Sequence, residues 1–101
     1  MTNAADIYEL IERPPSVEEY LALCESVGWI PYVPVEAIET ALEHSLHHVV
    51  AVHDDDVVGM GRVVSDGAIF FYLQDVAVAP DHQGQQVGTR IVGELVSWVR
   101  S

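Results

Sequence analysis

One stretch of the chain, from Gln74 to Gly93, constrains the fold more than any other. It begins within an apolar run, Ile69 to Val78, whose β-branched and aromatic residues predict a buried strand. The dipeptide Pro80-Asp81 ends that strand, and a short polar segment with two glycines follows it. From Thr89 to Trp98 apolar residues recur at helical spacing. The sequence therefore predicts a strand, a turn and a helix in direct succession.

A strand that leads through a glycine-bearing turn into a helix is suited to binding an anion. The N–H groups of the turn and the positive end of the helix dipole point to the same position, which favours phosphate. The site is not a P-loop, because a P-loop needs Gly-Lys-Ser/Thr and the chain contains no lysine. It is not a dinucleotide fingerprint either, because the glycines at 84, 88 and 93 do not fit Gly-x-Gly-x-x-Gly.

The stretch closely resembles the acetyl-CoA signature of the GCN5-related N-acetyltransferase (GNAT) family. That signature is Gln/Arg-x-x-Gly-x-Gly/Ala, placed after a strand that ends in Val-x-Val-x-Pro. The chain has Val76-Ala77-Val78-Ala79-Pro80 at the strand end and Gln83-Gly84-Gln85-Gln86-Val87-Gly88 at the signature. One position departs from the pattern, since Gln86 stands where the family has its first signature glycine. The alternative is a plain glycine-containing turn between a strand and a helix.

The resemblance implies a role for each residue of this stretch. The backbone of Val76 and Val78, on the fourth strand, is expected to bind the pantetheine arm of acetyl-CoA and to orient its acetyl carbonyl. Backbone N–H groups are expected to hold the pyrophosphate, and they belong to Gln83, Gly84, Gln85, Gln86, Val87, Gly88 and Thr89. The hydroxyl of Thr89 either adds a contact to the phosphate or caps the helix.

Asp75 is the candidate general base for transfer to an amine, which requires a neutral amine and a positioned thioester. Some members of the family carry an acid at this point. Desolvation of a half-buried carboxylate favours its protonated form, which suits a proton acceptor. The alternative is a strand-end aspartate that is satisfied by local backbone N–H groups. The family's usual general acid, a tyrosine on the fourth helix, has no counterpart in the chain.

By the same resemblance, the acceptor amine is expected near the connector between the first two helices. Trp29 and Tyr32 lie in that connector, and an acidic rim near Glu36 would attract a cation. Packing of an aromatic side chain in the core explains Trp29 equally well. His82, in the phosphate loop, is predicted to be a surface residue.

The remaining elements follow from hydrophobic periodicity and from turn residues. They are strand Ile7–Glu12, a helix that follows the N-cap Ser16 in a capping box with Glu19 and ends at Gly28, helix Val35–Ser45, strand His48–His53 and strand Val57–Val64. The order β-α-α-β-β-β-α is the first part of the GNAT-like α/β (α+β) fold, with a mixed, mostly antiparallel sheet. The family continues with β-α-β-β. Residues 1–101 are thus predicted to form a single domain. This domain is either a piece of a longer protein or one in which another chain supplies the part of the cofactor site that the later β-α-β-β elements form in the family.

Two turns and two glycines add detail to this order. Asp54-Asp55-Asp56 predicts a hairpin loop, with a metal site as a distant alternative. Ser65-Asp66-Gly67 predicts a second hairpin turn. Gly59 and Gly61 predict a bulge or a close backbone approach within the third strand. The histidines at 44, 47, 48 and 53 lack ligand-like spacing, so no metal is predicted.

Composition limits the partners of the chain. Sixteen acidic residues against four arginines give a formal net charge of −12, so nucleic acid is excluded as a partner. An acidic, lysine-free surface fits either a halophilic protein or an ordinary acidic one. Cys24 is the only cysteine and is predicted to fill the core. Without a signal peptide or a long apolar span, the protein is expected to be soluble and cytoplasmic, with no membrane partner.

The sequence thus predicts an acetyl-CoA-dependent N-acetyltransferase acting on a small-molecule or peptide amine, or the cofactor-binding part of one. An inactive interaction module with the same fold is the alternative, and a generic anion-binding α/β domain is a third possibility. The run from Ile69 to Leu73 is the most apolar in the chain, and one side of its strand has no predicted partner. A homo-oligomer formed through the edge of the fourth strand is therefore expected.

Overall fold

A computed structural model of the chain describes residues 7–29 and 34–101. The element order within these residues is β-α-α-β-β-β-α, as predicted. The elements are β1 (Glu9–Ile11), α1 (Val17–Ser26), α2 (Val35–Glu43), β2 (His47–His53), β3 (Asp56–Ser65), β4 (Phe71–Val78), a short 3₁₀ turn (Pro80–His82) and α3 (Val87–Arg100). Within this part of the chain, no helix is long and apolar enough to cross a bilayer.

The four strands form one antiparallel sheet in the order β1-β2-β3-β4. The predicted hairpin loop between β2 and β3 is confirmed, and only two residues, Asp54 and Asp55, lie between the strands. Both have positive φ, +50° and +69°, as a type I′ turn requires. Within residues 7–29 and 34–101, β4 pairs only with β3, so it forms an outer edge of the sheet.

Helices cover both faces of the sheet. The long helix α3 packs on one face, where its residues Val87, Ile91 and Leu95 are buried against β2 and β3. On the other face, Leu23 and Cys24 of α1 pack against the strands. Cys24 is 2% exposed, so its predicted place in the core is confirmed, and burial raises the pKa of its thiol.

The predicted close approach at the two glycines of β3 is confirmed. A Cβ atom at Gly59 would lie 2.9 Å from Ile91 Cδ1. At Gly61 it would lie 2.8 Å from Ile91 Cγ2 and 2.9 Å from Leu95 Cδ1. The glycines therefore let α3 lie directly on the backbone of β3. The bulge predicted as the alternative is present too. In the β2–β3 pair, Gly59 pairs with Ala51 and Val57 pairs with Val52, so Val58 is an extra residue on β3.

The start of α1 follows the predicted capping box. Ser16 Oγ accepts from the N–H of Glu19 at 3.0 Å, and Glu19 Oε1 accepts from the N–H of Ser16 at 2.8 Å. Arg13 also donates to Glu19, at 3.1 Å, and this hydrogen bond is the main reason why the pKa of Glu19 is lowered. At the other end, Gly28 takes a φ of +81°, and the N–H of Trp29 donates to Cys24 O at 2.8 Å.

Several predicted boundaries were wrong by a few residues. The first strand is shorter than predicted, and α2 ends at Glu43 rather than at residue 45. The larger error concerns the strand predicted to begin at Ile69 and to be buried. That strand begins at Phe71, and Ile69 is 74% exposed. Asp66 explains the difference, because its Oδ1 accepts from the N–H groups of residues 68, 69 and 70 and holds them in a wider loop.

Candidate functional site

The turn between β4 and α3 borders an open groove of about 390 Å³. Most of the residues predicted to bind acetyl-CoA meet in this groove. It is lined by Val78, His82, Gln83, Gly84, Gln86, Val87, Gly88 and Thr89. Val76 and Gln85, which were also predicted, are not among the lining residues.

The shape of the turn follows from a few local contacts. Gly84 takes a φ of +80° and Gln86 a φ of +66°, so the backbone passes twice through the left-handed region. Gln83 ties the turn to the end of the strand. Its N–H donates to Pro80 O at 3.3 Å, and its side-chain Nε2 donates to Val78 O at 3.0 Å. Gln83 thus shapes the loop with both of these donors.

The first turn of α3 offers N–H groups toward the groove. The N–H groups of Val87, Gly88 and Thr89 precede the first intrahelical bond, which runs from the N–H of Arg90 to Gln86 O at 3.0 Å. Gln86 is the N-cap, and its side chain makes no capping bond. The helix therefore begins two residues earlier than predicted, and Thr89 does not cap it. Unpaired N–H groups at the positive end of a 14-residue helix favour an anion.

Gly88 lies within this first turn, and its backbone is open to the groove. Its φ is not in the left-handed region, whereas that of Gly84 is. A Cβ atom at Gly88 would meet Val78 Cγ2 at 3.6 Å, an ordinary contact distance. Gly88 is therefore important for the space that it leaves beside Val78 rather than for its backbone conformation.

A bulge in β4 lies shortly before Val78, the residue of this strand that lines the groove. Gln74 pairs with Arg62 and Ala77 pairs with Met60, so Asp75 and Val76 together oppose the single residue Gly61. Asp75 takes a φ of +55°, which is rare for a residue other than glycine. The bulge therefore turns the strand at the position of the predicted base.

The outer edge of β4 presents backbone groups that β3 does not use. The N–H of Ala79 donates to Val58 O of β3 at 2.8 Å. Because backbone groups alternate in direction along a strand, those of Ala77 also face β3, while those of Val78 face the open edge, where Val78 O accepts from Gln83 Nε2. Val76, the other residue predicted to bind through its backbone, lies in the bulge.

Asp75 is held by partners that sequence reasoning missed. Its Oδ2 accepts from Arg62 Nε and from the hydroxyl of Tyr20, both at 2.9 Å. Arg62 in turn donates to Ser45 Oγ at 2.9 Å and to Ala41 O at 3.4 Å. The Asp75 carboxylate is 22% exposed, which agrees with the expectation of a half-buried group. Its partners are side chains and not the local backbone N–H groups of the alternative.

Tyr20 of α1 belongs to this network, and His48 lines the same small pocket as Tyr20, Arg62 and Asp75. Burial, followed by the contact with Asp75, raises the pKa of Tyr20. His48 donates from Nε2 to Leu42 O at 2.8 Å, and burial lowers its pKa. One signal in the sequence pointed to the network, because Arg62 is one of only four cations and stands in an otherwise apolar strand.

The predicted acceptor region is described only in part. Trp29 is 42% exposed, so packing in the core does not account for it. Glu36 is exposed on α2, and Tyr32 lies outside the described residues. His82 is half-buried rather than on the surface, and its Nδ1 is hydrogen-bonded to the hydroxyl of Tyr8 at 2.9 Å. Across residues 7–29 and 34–101, no three His, Cys, Asp or Glu side chains are grouped to hold a metal ion.

Known proteins are similar to this chain in sequence and in fold. A model of the acetyltransferase (GNAT) family matches residues 5–101. A Porphyra purpurea protein named uncharacterized N-acetyltransferase ycf52 is 29% identical over 99 residues, which cover 94% of this chain and 56% of that protein. The chain thus spans about half the length of this curated relative.

Two solved structures illustrate the match in fold. A probable acetyltransferase of methicillin-resistant Staphylococcus aureus superposes with a TM-score of 0.84 at 32% identity, over 92% of this chain and 69% of that one. N-acetylglutamate synthase of Neisseria gonorrhoeae, solved with coenzyme A and N-acetyl-glutamate, gives a TM-score of 0.72 at 18% identity, over 92% of this chain and 22% of that one. At this lower identity the likeness concerns the fold alone. The family match over residues 5–101 establishes that the chain belongs to the GNAT family of acetyltransferases.

Proposed function

We propose that the chain binds acetyl-CoA in the groove at the start of α3 and transfers its acetyl group to a primary amine. It does so as an N-acetyltransferase or as the cofactor-binding part of one. The observation that carries this proposal is that the open edge of β4 meets the unpaired N–H groups of the first turn of α3. The open edge of β4 ends at Val78, which itself lines the groove formed by the first turn of α3.

The residues present fit the coenzyme. The N–H groups of Val87, Gly88 and Thr89 suit the pyrophosphate, because they are unpaired and lie at a positive helix end. The backbone groups of Val76 and Val78 suit the amides of the pantetheine arm, as a strand edge suits an added strand. A neighbour of the same fold was solved with coenzyme A, which supports this assignment.

Acetyl-CoA supplies a thioester, and in the transfer a C–N bond forms at its carbonyl carbon while the C–S bond breaks. The amine gives up a proton, and the departing thiolate takes one up. On this chain, Asp75 is the proposed proton acceptor. Both of its donors, Arg62 and Tyr20, bind Oδ2, which leaves Oδ1 as the oxygen that can take the proton. The two donors also fix the orientation of the carboxylate.

The acceptor is proposed to be a cationic small molecule or peptide amine. The chain carries a net charge of −12, and exposed glutamates at 36, 39 and 43 line α2. Such a field raises the local concentration of cations near the surface. A neutral amine then has to form at the site, which is the role proposed for Asp75.

A binding module without turnover is the second candidate. Gln86 favours it, because this residue carries a side chain at the position of a signature glycine and takes a left-handed conformation. The two candidates agree on the binding of acetyl-CoA and differ in chemistry.

Release of the coenzyme A thiol tests the proposal. The protein is incubated with acetyl-CoA and, separately, with a polyamine, a lysine-containing peptide and an amino sugar. Thiol release that depends on one of these amines supports the transferase. Binding of acetyl-CoA without release for any amine supports the binding module. If the protein neither binds acetyl-CoA nor releases the thiol, both candidates are contradicted.

A further inference from the structure

His82 is distinct among the residues of the groove. The described residues that line it are valines, glutamines, glycines, a threonine and this histidine. Among them, only the side chain of His82 can carry a charge. A ligand with several phosphates would therefore meet one ionisable side chain on this surface.

The imidazole of His82 is held in place by two other rings. The Tyr8 hydroxyl is hydrogen-bonded to Nδ1 at 2.9 Å, and the two rings stand edge to face with centroids 5.5 Å apart. The ring of His53 lies 5.1 Å away on the same cluster. Tyr8 is only 5% exposed, so the hydroxyl that holds Nδ1 belongs to a fixed residue.

This contact suits both charge states of the imidazole. A tyrosine hydroxyl can donate to a neutral Nδ1 or accept from a protonated one. When the hydroxyl donates to Nδ1 of a neutral ring, the ring proton resides on Nε2, and in the imidazolium both nitrogens carry one. In these two states Nε2 is a donor. It lies across the ring from the atom that Tyr8 binds and points away from Tyr8.

The side chains of the arginines do not line the groove. Arg13 pairs with Glu19 at 3.1 Å and Arg62 with Asp75 at 2.9 Å. Arg90 donates to Tyr8 O at 3.2 Å, and Arg100 lies in the last turn of α3. None of the four is among the described residues that line the groove. The whole chain carries a charge of −12, which repels an approaching phosphate. A cation inside the groove opposes this repulsion at short range.

We propose that His82 binds a phosphate of coenzyme A through Nε2–H and that its protonation strengthens this binding. The proposal rests on the proposed function of the groove. Two titratable groups, Tyr8 and His53, contact the ring of His82 directly. Three charged groups lie further out. They are Asp54, whose Oδ2 lies 3.2 Å from His53 Nε2, Asp81 in the same turn as His82, and Arg90, which donates to Tyr8 O.

The test measures the affinity for coenzyme A by calorimetry at pH 6 and pH 8, at constant ionic strength. His82→Gln is expected to weaken binding about tenfold at pH 6, because a charged donor is lost. The loss is expected to be smaller at pH 8, because a neutral donor binds phosphate more weakly than a charged one. The phosphate of coenzyme A titrates in the same range, so the readout is the difference between the two proteins' pH profiles.

Two further variants complete the design. His44→Gln removes an exposed imidazole at the end of α2 and should bind coenzyme A as the parent protein does. Tyr8→Phe keeps the ring but frees Nδ1, so it should weaken binding by a smaller factor. Thermal unfolding of each variant shows whether it is folded. If His82→Gln is not folded, the comparison of Tyr8→Phe with the parent protein is the test.

The outcomes separate this inference from the proposed function. If the parent protein binds coenzyme A and neither His82→Gln nor Tyr8→Phe changes the affinity or its pH profile, His82 has no part in binding while the groove assignment stands. If the parent protein binds no coenzyme A at either pH, the proposed function fails and this inference fails with it. Inorganic pyrophosphate, used as a second probe, should rank the variants in the same order.

Discussion

At the scale of single residues, Gln86 has a backbone conformation that is unusual for a residue other than glycine. Its φ of +66° costs a residue other than glycine roughly 1–2 kcal/mol, and its side chain borders the groove. Gln86→Gly should therefore bind acetyl-CoA more tightly and raise the free energy of unfolding by about 1 kcal/mol. Calorimetry and denaturant titration measure the two effects.

Gln85→Gly is the matched control, since residue 85 does not have a positive φ. It should lower the free energy of unfolding slightly and leave affinity unchanged or weaker. If Gln86→Gly binds acetyl-CoA no better than the parent protein, the loop tolerates the glutamine, and the departure from the family signature has little consequence.

Asp75 has a structural and a proposed chemical role, and its replacement by asparagine separates them. Asparagine tolerates the φ of +55°, so the bulge should persist. Loss of the carboxylate opposite Arg62 should lower the free energy of unfolding by about 1–3 kcal/mol. Turnover should fall roughly 100-fold or more, as expected for loss of a general base, while the affinity for acetyl-CoA stays nearly constant.

Tyr20→Phe is the control for this change, because it removes one donor to the same oxygen and leaves the carboxylate. It should keep most of the turnover. Full activity of Asp75→Asn would remove this residue from the mechanism.

The residues that hold Asp75 show what sequence reasoning could not reach. The motif placed Asp75 on the fourth strand beside the signature, and the structure agrees. Its partner Tyr20 is 55 residues away in sequence and Arg62 is 13 residues away. The contact between Tyr8 and His82 spans 74 residues. No local pattern specifies such pairs, because they form only when the two faces of the sheet are covered.

At the scale of elements, the packing of α3 on β3 depends on the glycines of the strand. Gly61→Ala would place a Cβ atom 2.8 Å from Ile91 and 2.9 Å from Leu95, both fully buried. This substitution should lower the free energy of unfolding by about 1–3 kcal/mol, since the core is overpacked. Denaturant titration measures the change.

Gly93→Ala is the matched control on α3, where a Cβ atom would meet nothing within 4 Å. It should raise the free energy of unfolding by about 0.5–1 kcal/mol, because alanine favours a helix over glycine. Equal effects of the two substitutions would contradict the described contact between α3 and β3.

The order of elements could be predicted from periodicity and turn residues, and the exact extent of β4 could not. The run from Ile69 onward is apolar and rich in strand formers, so local propensity favoured a strand from its start. Asp66 overrides that propensity by binding three successive N–H groups. The prediction of burial failed because β4 is an edge strand, and whether a strand lies at an edge depends on topology.

At the scale of the whole molecule, the open edge of β4 predicts association between copies. Four successive apolar side chains, from Ile69 to Tyr72, are 48–74% exposed, and residues 68–74 carry no charge. Two such edges can pair across a two-fold axis. Because each copy carries a charge of −12, association should strengthen as salt screens the repulsion. Light scattering across a salt series measures this.

Two lysine substitutions localise the effect. Phe71→Lys and Leu46→Lys replace apolar residues that are each 49% exposed, the first on β4 and the second just before β2. Only Phe71→Lys should reduce association. A monomer at every salt concentration would show that this edge recruits no second copy.

Gly88 tests most directly whether the first turn of α3 and the end of β4 together bind acetyl-CoA. Gly88→Val fills the space beside Val78, where a Cβ atom alone would already lie 3.6 Å from Val78 Cγ2. We predict that calorimetric titration gives saturable binding of acetyl-CoA by the parent protein, and binding weaker by about 1–3 kcal/mol for Gly88→Val. Equal affinity of the two proteins, with both folded, would place the coenzyme elsewhere and contradict this account.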